Sequence, residues 1–476
     1  MAPGNHIRLA MAQRRYQRHA DELTGMIERG ELPPGTRLPS VREASRLRNL
    51  SPSTVFEAYY LLQARGLIES RPRSGFYVRQ PQVPARRVAP RPARSRSVSV
   101  SELVFEVLAA TRRQGVAPLG SAFPGAELFP LRQLARAMSA GMRRLTPANI
   151  VEDLPPGNLR LRQQIALRYE FAGTRVLPED ILITNGAMEA LTLSLQTVTK
   201  PGDAVAVESP AFYGALQALE RLRLKAVEVP CDPQQGLNLD ALREALRRHD
   251  IKACWFMPGF HNPTGASLSE EGRRALMRLL EEYDVPLIED DVYAELYYGA
   301  RPLPPVKSFD TRGLVMHCSS FSKCLAPGYR VGWVAGGRYA EAIAHAKMMT
   351  SISTAVPSQQ ALAEYLAHGG YERHLRKLRR TLARQHELAA RLAARHFPAG
   401  TRLGSPGGGY FLWVEFPEGV DTLRMHREAL DRGINIAPGQ MFSATGQFSN
   451  CLRLNFGHPR DARFEPAMRA IGELAR

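Results

Sequence analysis

Between Arg79 and Val100 the chain reads RQPQVPARRVAPRPARSRSVSV, dominated by arginine, proline and serine with no acidic residue. Such a stretch buries too little apolar surface to offset the entropy of ordering it, and proline keeps it extended. It reads as a solvated tether whose arginines are also suited to brush a polyanion. The tether breaks the 476 residues into a short N-terminal part and a long C-terminal part. Size requires the same break, because single hydrophobic cores stop growing near roughly 250 to 300 residues. The expected organisation is a compact module over 10–79, a linker over 80–115 and a body over 116–476.

The formal net charge of +17 is unevenly spread. Residues 1–100 hold 18 Arg, no Lys and 7 acidic residues, a balance of +11, which leaves +6 for the other 376. A basic module on a nearly neutral body is the electrostatic footprint of a nucleic-acid partner. With 44% hydrophobic and 23% charged residues, the chain is expected to fold rather than remain disordered. Five cysteines are scattered without a CxxC pair, so neither a disulfide framework nor a zinc site is expected. No run approaches the roughly 18 apolar residues of a membrane span, and MAPGNHIRLAMAQRRYQRH lacks the apolar stretch of a secretion signal. A cytoplasmic protein without a membrane partner is expected.

In the N-terminal part, apolar spacing over 20–28 predicts a helix, and ELPPGTRLPS supplies a turn. Ser40 then caps VREASRLR, and Ser51 caps a second helix with Pro52 at its first position, where proline's missing N–H is harmless. LIESRPRSGFYV closes the unit as two short strands around a turn. Two helices in this arrangement place the front of the second where a recognition helix enters the major groove of double-stranded DNA. Arg42, Ser51, Ser53, Thr54 and Arg73 are the candidate contacts to phosphates or bases. In the alternative the hydroxyls only cap a helix and the arginines are solvated.

From about Pro118 onward, apolar strands alternate with amphipathic helices, which argues a mainly parallel, helix-covered sheet with ligand chemistry at the strands' carboxyl ends. Several motifs make sense together around one small molecule. SSFSKCLAPGYR presents Lys323 with Ser320, Ser322 and Arg330; an amine forms a Schiff base with an aldehyde, while hydroxyls and a guanidinium suit a phosphate. EDDVY places Asp290 three residues before Tyr293, a carboxylate able to keep a pyridine nitrogen protonated and a hydroxyl able to meet a ring oxygen. Asn262 of HNPTG is a second partner for that oxygen. Gly186, Ala187 and Met188 open a helix whose N–H groups would face a phosphate. Phe212 is either a flat ring stacked on a pyridine or plain core. Arg453, in the strand CLRLNF, either grips an amino-acid carboxylate or forms a structural salt bridge. A metal cluster at Glu289, Asp290 and Asp291 is not expected, since no histidine stands at matching spacing.

The stretch IERGELPPGTRLPSVREASRL through LSPSTVFEAYYLLQARGLIESRPRSGFYV resembles the winged helix-turn-helix of GntR-type transcription regulators. The ordered set GAMEAL, ESPAFYG, HNPTG, EDDVY, SSFSK and LRLNFG resembles fold type I aminotransferases, which use pyridoxal 5′-phosphate. Together they look like the MocR-like subfamily of GntR-type regulators. The resemblance implies a multidomain chain: a small α+β winged helix-turn-helix plus an α/β fold type I domain, with a mainly parallel seven-stranded sheet and a smaller α+β subdomain. It further implies that Lys323 carries the cofactor, Asp290 pairs its ring nitrogen, Tyr293 and Asn262 hold its ring oxygen, and Arg453 takes an α-carboxylate. Ser320, Ser322 and Arg330 would hold its phosphate.

Three departures stand out: Pro52 where relatives commonly have Arg, Met188 where many have a polar residue, and Glu152 where a tyrosine usually reaches the neighbouring subunit's phosphate. The functional expectation is a homodimeric, DNA-binding regulator that senses the cofactor or an amino-acid aldimine, with an amino acid or amine as effector. The alternative is an active aminotransferase that carries a DNA-binding domain.

Overall fold

The computed structural model describes residues 4–28, 31–32, 36–71, 75–78, 100–111, 113–147 and 154–476, excluding the side chains of 4–14, 28, 71 and 100. Two compact units divide near residue 96. In the first, α1 (Gly4–Glu28), α2 (Val41–Arg48) and α3 (Pro52–Ala64) precede the antiparallel pair β1 (Ile68–Arg71) and β2 (Gly75–Val78). Ser40 closes a capping box with Glu43 at the start of α2. The Ser51 hydroxyl accepts from the Thr54 N–H at 3.2 Å at the start of α3. Ala20, Leu23, Leu38, Ala44, Val55, Ala58, Tyr59, Leu62, Ile68 and Val78 form one buried cluster. The Tyr59 hydroxyl donates to the Pro39 carbonyl at 2.9 Å and so ties α3 to the turn before α2.

In the second unit the large sheet comprises β3 (Ile181–Thr184), β4 (Ala204–Ser209), β5 (Lys225–Asp232), β6 (Gly236–Leu237), β7 (Ile251–Phe256), β8 (Leu287–Asp290), β9 (Val315–Ser320) and β10 (Gly332–Ala335). Their order is β3-β10-β9-β8-β7-β4-β5-β6. β10 runs antiparallel to both neighbours, and β6 is a two-residue strand antiparallel to β5. The expected seven-stranded, mainly parallel sheet is thus present with one short edge strand added. Val205, Val207, Trp255, Ile288 and Met316 face one helical layer that includes Ala190, Leu191 and Leu219. Ala206, Cys254, Phe256, Leu287 and Val315 face the other, with Leu242, Leu246, Leu276 and Leu280. This two-residue alternation fills both faces with apolar side chains and leaves polar chemistry to the strand ends.

A smaller antiparallel sheet, β11 (Arg402–Leu403), β12 (Phe411–Glu415), β13 (Ala437–Pro438) and β14 (Cys451–Asn455), has the order β11-β12-β14-β13. It sets Arg453 opposite Trp413 and Ala437. One boundary is corrected. Val100–Ala110, assigned by sequence to the linker, is a helix of the body, because Leu103, Val104 and Val107 are buried with Tyr213, Trp413, Met441 and Phe442. Among the described residues no helix is long and apolar enough to cross a membrane.

Candidate cofactor site

The ends of β8 and β9, together with the loops after β3, β4 and β7, surround a cavity of about 280 Å³. Its lining includes Ala187, Met188, Phe212, Asn262, Asp290, Tyr293, Ser320, Ser322, Lys323 and Arg330. Residues separated by more than a hundred positions thus meet in one space, most of them in or just after the carboxyl end of a strand or at the start of a helix, with Arg330 in the turn before β10.

At one end Asp290 is buried, and its Oδ1 has no hydrogen-bond partner. Burial pushes its carboxyl up to about 7, against the opposing pull of the neighbouring Trp255 ring N–H and of Lys323, while Asp291 adds to the rise. A buried carboxylate oxygen without a donor is costly unless a cationic or N–H group meets it, and a protonated pyridine nitrogen is such a group. Lys323 donates from Nζ to the Ala122 carbonyl at 3.0 Å and lies 3.9 Å from the centre of the Phe123 ring. Burial, then the Arg453 charge, lowers its amine to about 7. A large fraction is therefore neutral near pH 7, the form that attacks an aldehyde.

Asn262 receives a hydrogen bond on Oδ1 from Arg453 Nη1 at 2.9 Å, which leaves the amide nitrogen to donate elsewhere. Tyr293 is buried with Tyr410 and Phe411 packed edge-on at 5.5 and 5.6 Å. Arg453 is fully buried and donates from Nη2 to the carbonyls of Gly120 and Ser121 at 2.8 and 3.2 Å. Its guanidinium lies 4.2 Å from the centre of Phe411, and its Nε has no partner. Among the described residues no carboxylate pairs with it, so the salt-bridge alternative does not describe this arginine. Phe212 is half-buried at the start of helix Tyr213–Arg221, with its ring centre 4.9 Å from that of Tyr213.

At the other end, helix Ala187–Val198 begins after Gly186 without a side-chain cap. Its first N–H groups, including those of Ala187 and Met188, are left to an anion. Gly186 sits at φ +82, and a Cβ there would lie 2.5 Å from Arg330 Nη2, which donates to the Asn185 carbonyl at 3.2 Å. The glycine lets the guanidinium cross the helix start. Ser322 Oγ is buried without a partner, and the Ser322 N–H meets Ser320 Oγ at 3.4 Å. Orphaned hydroxyl, guanidinium and helix start together fit a phosphate dianion.

Several functional neighbours lay outside the sequence reading. Ala122, Phe123 and Tyr213 line the cavity, and the Tyr410 hydroxyl donates to Ala122 at 3.1 Å. Behind Asn262, His261 and Glu208 are both buried; burial lowers the imidazole to about 3 and raises the carboxyl to about 8. The fold also brings His317, distant in sequence, to Glu289 and Asp291. Its Nε2 lies 3.1 Å from Asp291, and its Nδ1 lies 2.7 Å from the Tyr169 hydroxyl. Glu289 accepts from the N–H groups of Val306 and Lys307. Hydrogen bonds within the protein thus engage all three side chains.

In the N-terminal unit Arg42, Ser51 and Ser53 are exposed. Thr54 is corrected: it is buried, and its hydroxyl lies 2.7 Å from that of Ser51, so it serves the helix start rather than an outward contact. Arg73 and Glu152 lie outside the described residues.

The sequence pattern described as "Aminotransferase class I and II" matches residues 129–471, and that of "Bacterial regulatory proteins, gntR family" matches 15–78. The chain belongs to the class I and II aminotransferase family, joined to a GntR-type module. This GntR–aminotransferase fusion is 45% identical over 466 residues to "Uncharacterized HTH-type transcriptional regulator YdcR" of Escherichia coli, covering 97% of this chain and 99% of the relative. It is 29% identical over 380 residues to "Aromatic-amino-acid aminotransferase 1" of Thermococcus litoralis, covering 78% and 90%. The solved multiple substrate aminotransferase from Thermococcus profundus superposes with a TM-score of 0.72 at 28% identity, covering 78% of this chain and 94% of that one. The fusion therefore has the domain pair of MocR-type regulators on a type I aminotransferase fold.

Proposed function

We propose that the protein is a cytoplasmic, homodimeric transcription regulator that binds double-stranded DNA through its GntR-type module and pyridoxal 5′-phosphate in its body. The observation that carries the cofactor reading is a set of groups that converge on one cavity: Asp290 Oδ1 and Ser322 Oγ without hydrogen-bond partners, an uncapped helix start, and the amine of Lys323, which is bonded to the Ala122 carbonyl. Lys323 would hold the cofactor by a Schiff base, Asp290 its ring nitrogen, and Tyr293 and Asn262 its ring oxygen. Ser320, Ser322, Arg330 and the N–H groups after Gly186 would hold its phosphate, with Phe212 against the ring. When bound, pyridoxal phosphate supplies an aldehyde carbon for amine capture and an electron-withdrawing ring.

Arg453 offers an incoming amino acid its carboxylate partner. Phe411 and Phe442 flank the guanidinium and exclude water, which strengthens such a pair. An amino acid or amine then acts as effector only by favouring one dimer arrangement over another, since a ligand with equal affinity for both shifts neither. Two tethered modules convert that arrangement into a difference in DNA affinity.

A second reading, an aminotransferase that turns over, is favoured by the same lysine. An amine lowered to about 7 is suited to moving a proton at an amino acid's α-carbon. One experiment separates the readings: a visible spectrum of the pyridoxal-phosphate-loaded chain as amino acids are added singly, with keto acid assayed at the end. A stable spectral change without keto acid supports a sensor, one equivalent of keto acid marks a half-transamination, and more than one equivalent once an acceptor keto acid is added supports turnover. Lys323→Ala should abolish the Schiff-base band, and its survival would overturn the site.

A further inference from the structure

The buried face of α3 carries Thr54, Val55, Ala58, Tyr59 and Leu62. Its exposed face carries Pro52, Ser53, Phe56, Glu57, Tyr60, Gln63 and Ala64. Phe56 and Tyr60 are 55% and 69% exposed, one helical turn apart and on the same side. Neither Arg nor Lys occurs anywhere in α3. The commonest specific base contact, a forked guanidinium on guanine, is therefore missing from the helix positioned to enter the major groove.

What remains at the front of the face is largely apolar, with the hydroxyls of Ser53 and Tyr60 and the Glu57 carboxylate, and the Gln63 amide follows one turn after Tyr60. In the major groove the single apolar marker on a base pair is the thymine 5-methyl group. Charge complementarity names the occupant of this face: Arg42, Arg46 and Arg48 of α2 are exposed, and the first hundred residues carry +11. These cations suit the phosphate backbone, which would bring the aromatic face against base edges instead of leaving it in water. Glu57 lies within that face as a hydrogen-bond acceptor, the complement of a cytosine amino group, and its charge disfavours seating the same face on a phosphate.

We propose that Phe56 and Tyr60 form an apolar reading surface that packs on thymine methyl groups, so that this module specifies T·A pairs through methyl contacts rather than guanines through arginine. This inference rests on the DNA-binding reading of the module and goes beyond it by naming the base and the residues that read it. Pro52, at the front of the same face, extends the apolar surface by one turn.

The test begins with the full-length chain and a random-sequence duplex library, from which bound duplexes are selected. Each thymine of the selected duplex is then replaced singly by deoxyuridine, which removes only the methyl group. Burying one methyl corresponds to about a fourfold change in affinity. The expected result is a two- to fourfold loss at one or two neighbouring thymines and none elsewhere. Phe56→Ala should bind the two duplexes equally at the affected position, while Phe56→Leu retains part of the difference. Both replacements are at an exposed site, and circular dichroism checks that the fold is kept. If no thymine differs from deoxyuridine, or if Phe56→Ala discriminates as well as the parent, the inference is wrong although the module still binds DNA. If no duplex is retained at low salt, the DNA-binding reading itself fails and this inference with it, and the aromatic face then belongs to a protein contact.

Discussion

Gly186→Ala is the perturbation whose outcome follows most directly from the geometry. Gly186 has φ 82 and ψ 172, a region essentially reserved for glycine, and a Cβ would stand 2.5 Å from Arg330 Nη2. Two effects add. Backbone strain of this kind costs on the order of 1 to 3 kcal/mol, borne by the folded chain with or without ligand. The added methyl also moves the Arg330 guanidinium off the helix start, and a hydrogen bond to a charged group contributes about 1.5 to 3 kcal/mol. The second effect falls on cofactor binding alone, so pyridoxal phosphate should bind about 10- to 150-fold more weakly. The assay is a titration followed by the Schiff-base absorbance, with the melting temperature of the cofactor-free chain measured in parallel. Gly202→Ala is the matched control, because Gly202 sits at φ +98 with nothing within 4 Å of a Cβ. It should lower the melting temperature and leave cofactor affinity unchanged. A folded Gly186→Ala variant whose affinity changes less than threefold would refute the argument that Arg330 and this glycine form the phosphate end.

Three further outcomes are expected. Burial holds the Asp290 carboxyl at about 7 against an ordinary 3.8, so the folded cofactor-free chain binds that proton more tightly than the unfolded chain. The stabilisation is full below about pH 4 and is lost as pH rises toward 7. Asp290→Asn cannot ionise, so in calorimetry its melting temperature relative to the parent should climb between about pH 4 and 7 and level off above. A pH-independent difference would contradict the burial argument. Arg453→Lys removes the two-pronged donor yet keeps a charge, and should abolish the spectral response to amino acids while the Schiff-base band persists; an unchanged response would remove Arg453 from effector binding. Leu62 is fully buried in the N-terminal core, so Leu62→Ala should destabilise that unit by about 2 to 5 kcal/mol and leave the melting of the body unaffected.

The candidate cofactor cavity is legible in the sequence because its polar residues sit in short motifs at strand ends, where a buried apolar run gives way abruptly to Ser, Asp, Asn or Lys. Asp290 after LIE and Lys323 after the run ending at Ser320 are cases in point. Ala122, Phe123 and Tyr410 were not legible, since Ala122 meets Lys323 across 201 positions and Tyr410 across 288, and no local pattern marks either contact. His317 reached Asp291 in the same way, through the pairing of β8 with β9. From sequence Thr54 fits either role, because Ser, Pro and Thr at a helix start suit both capping and contact, and only burial separates the two. The helix Val100–Ala110 is masked in the sequence by the adjoining arginine-rich tether, although Leu103, Val104 and Val107 carry its apolar stripe.

The central claim is that the body's ligand sets the DNA affinity of the module. It is tested most directly by measuring the dissociation constant of the pyridoxal-phosphate-loaded chain for a selected duplex, with and without the amino acid that changes its spectrum. Coupling of the usual size predicts a shift of about 5- to 150-fold, absent in Lys323→Ala. Equal affinities in the parent chain, or the same shift in the lysine variant, would contradict the account.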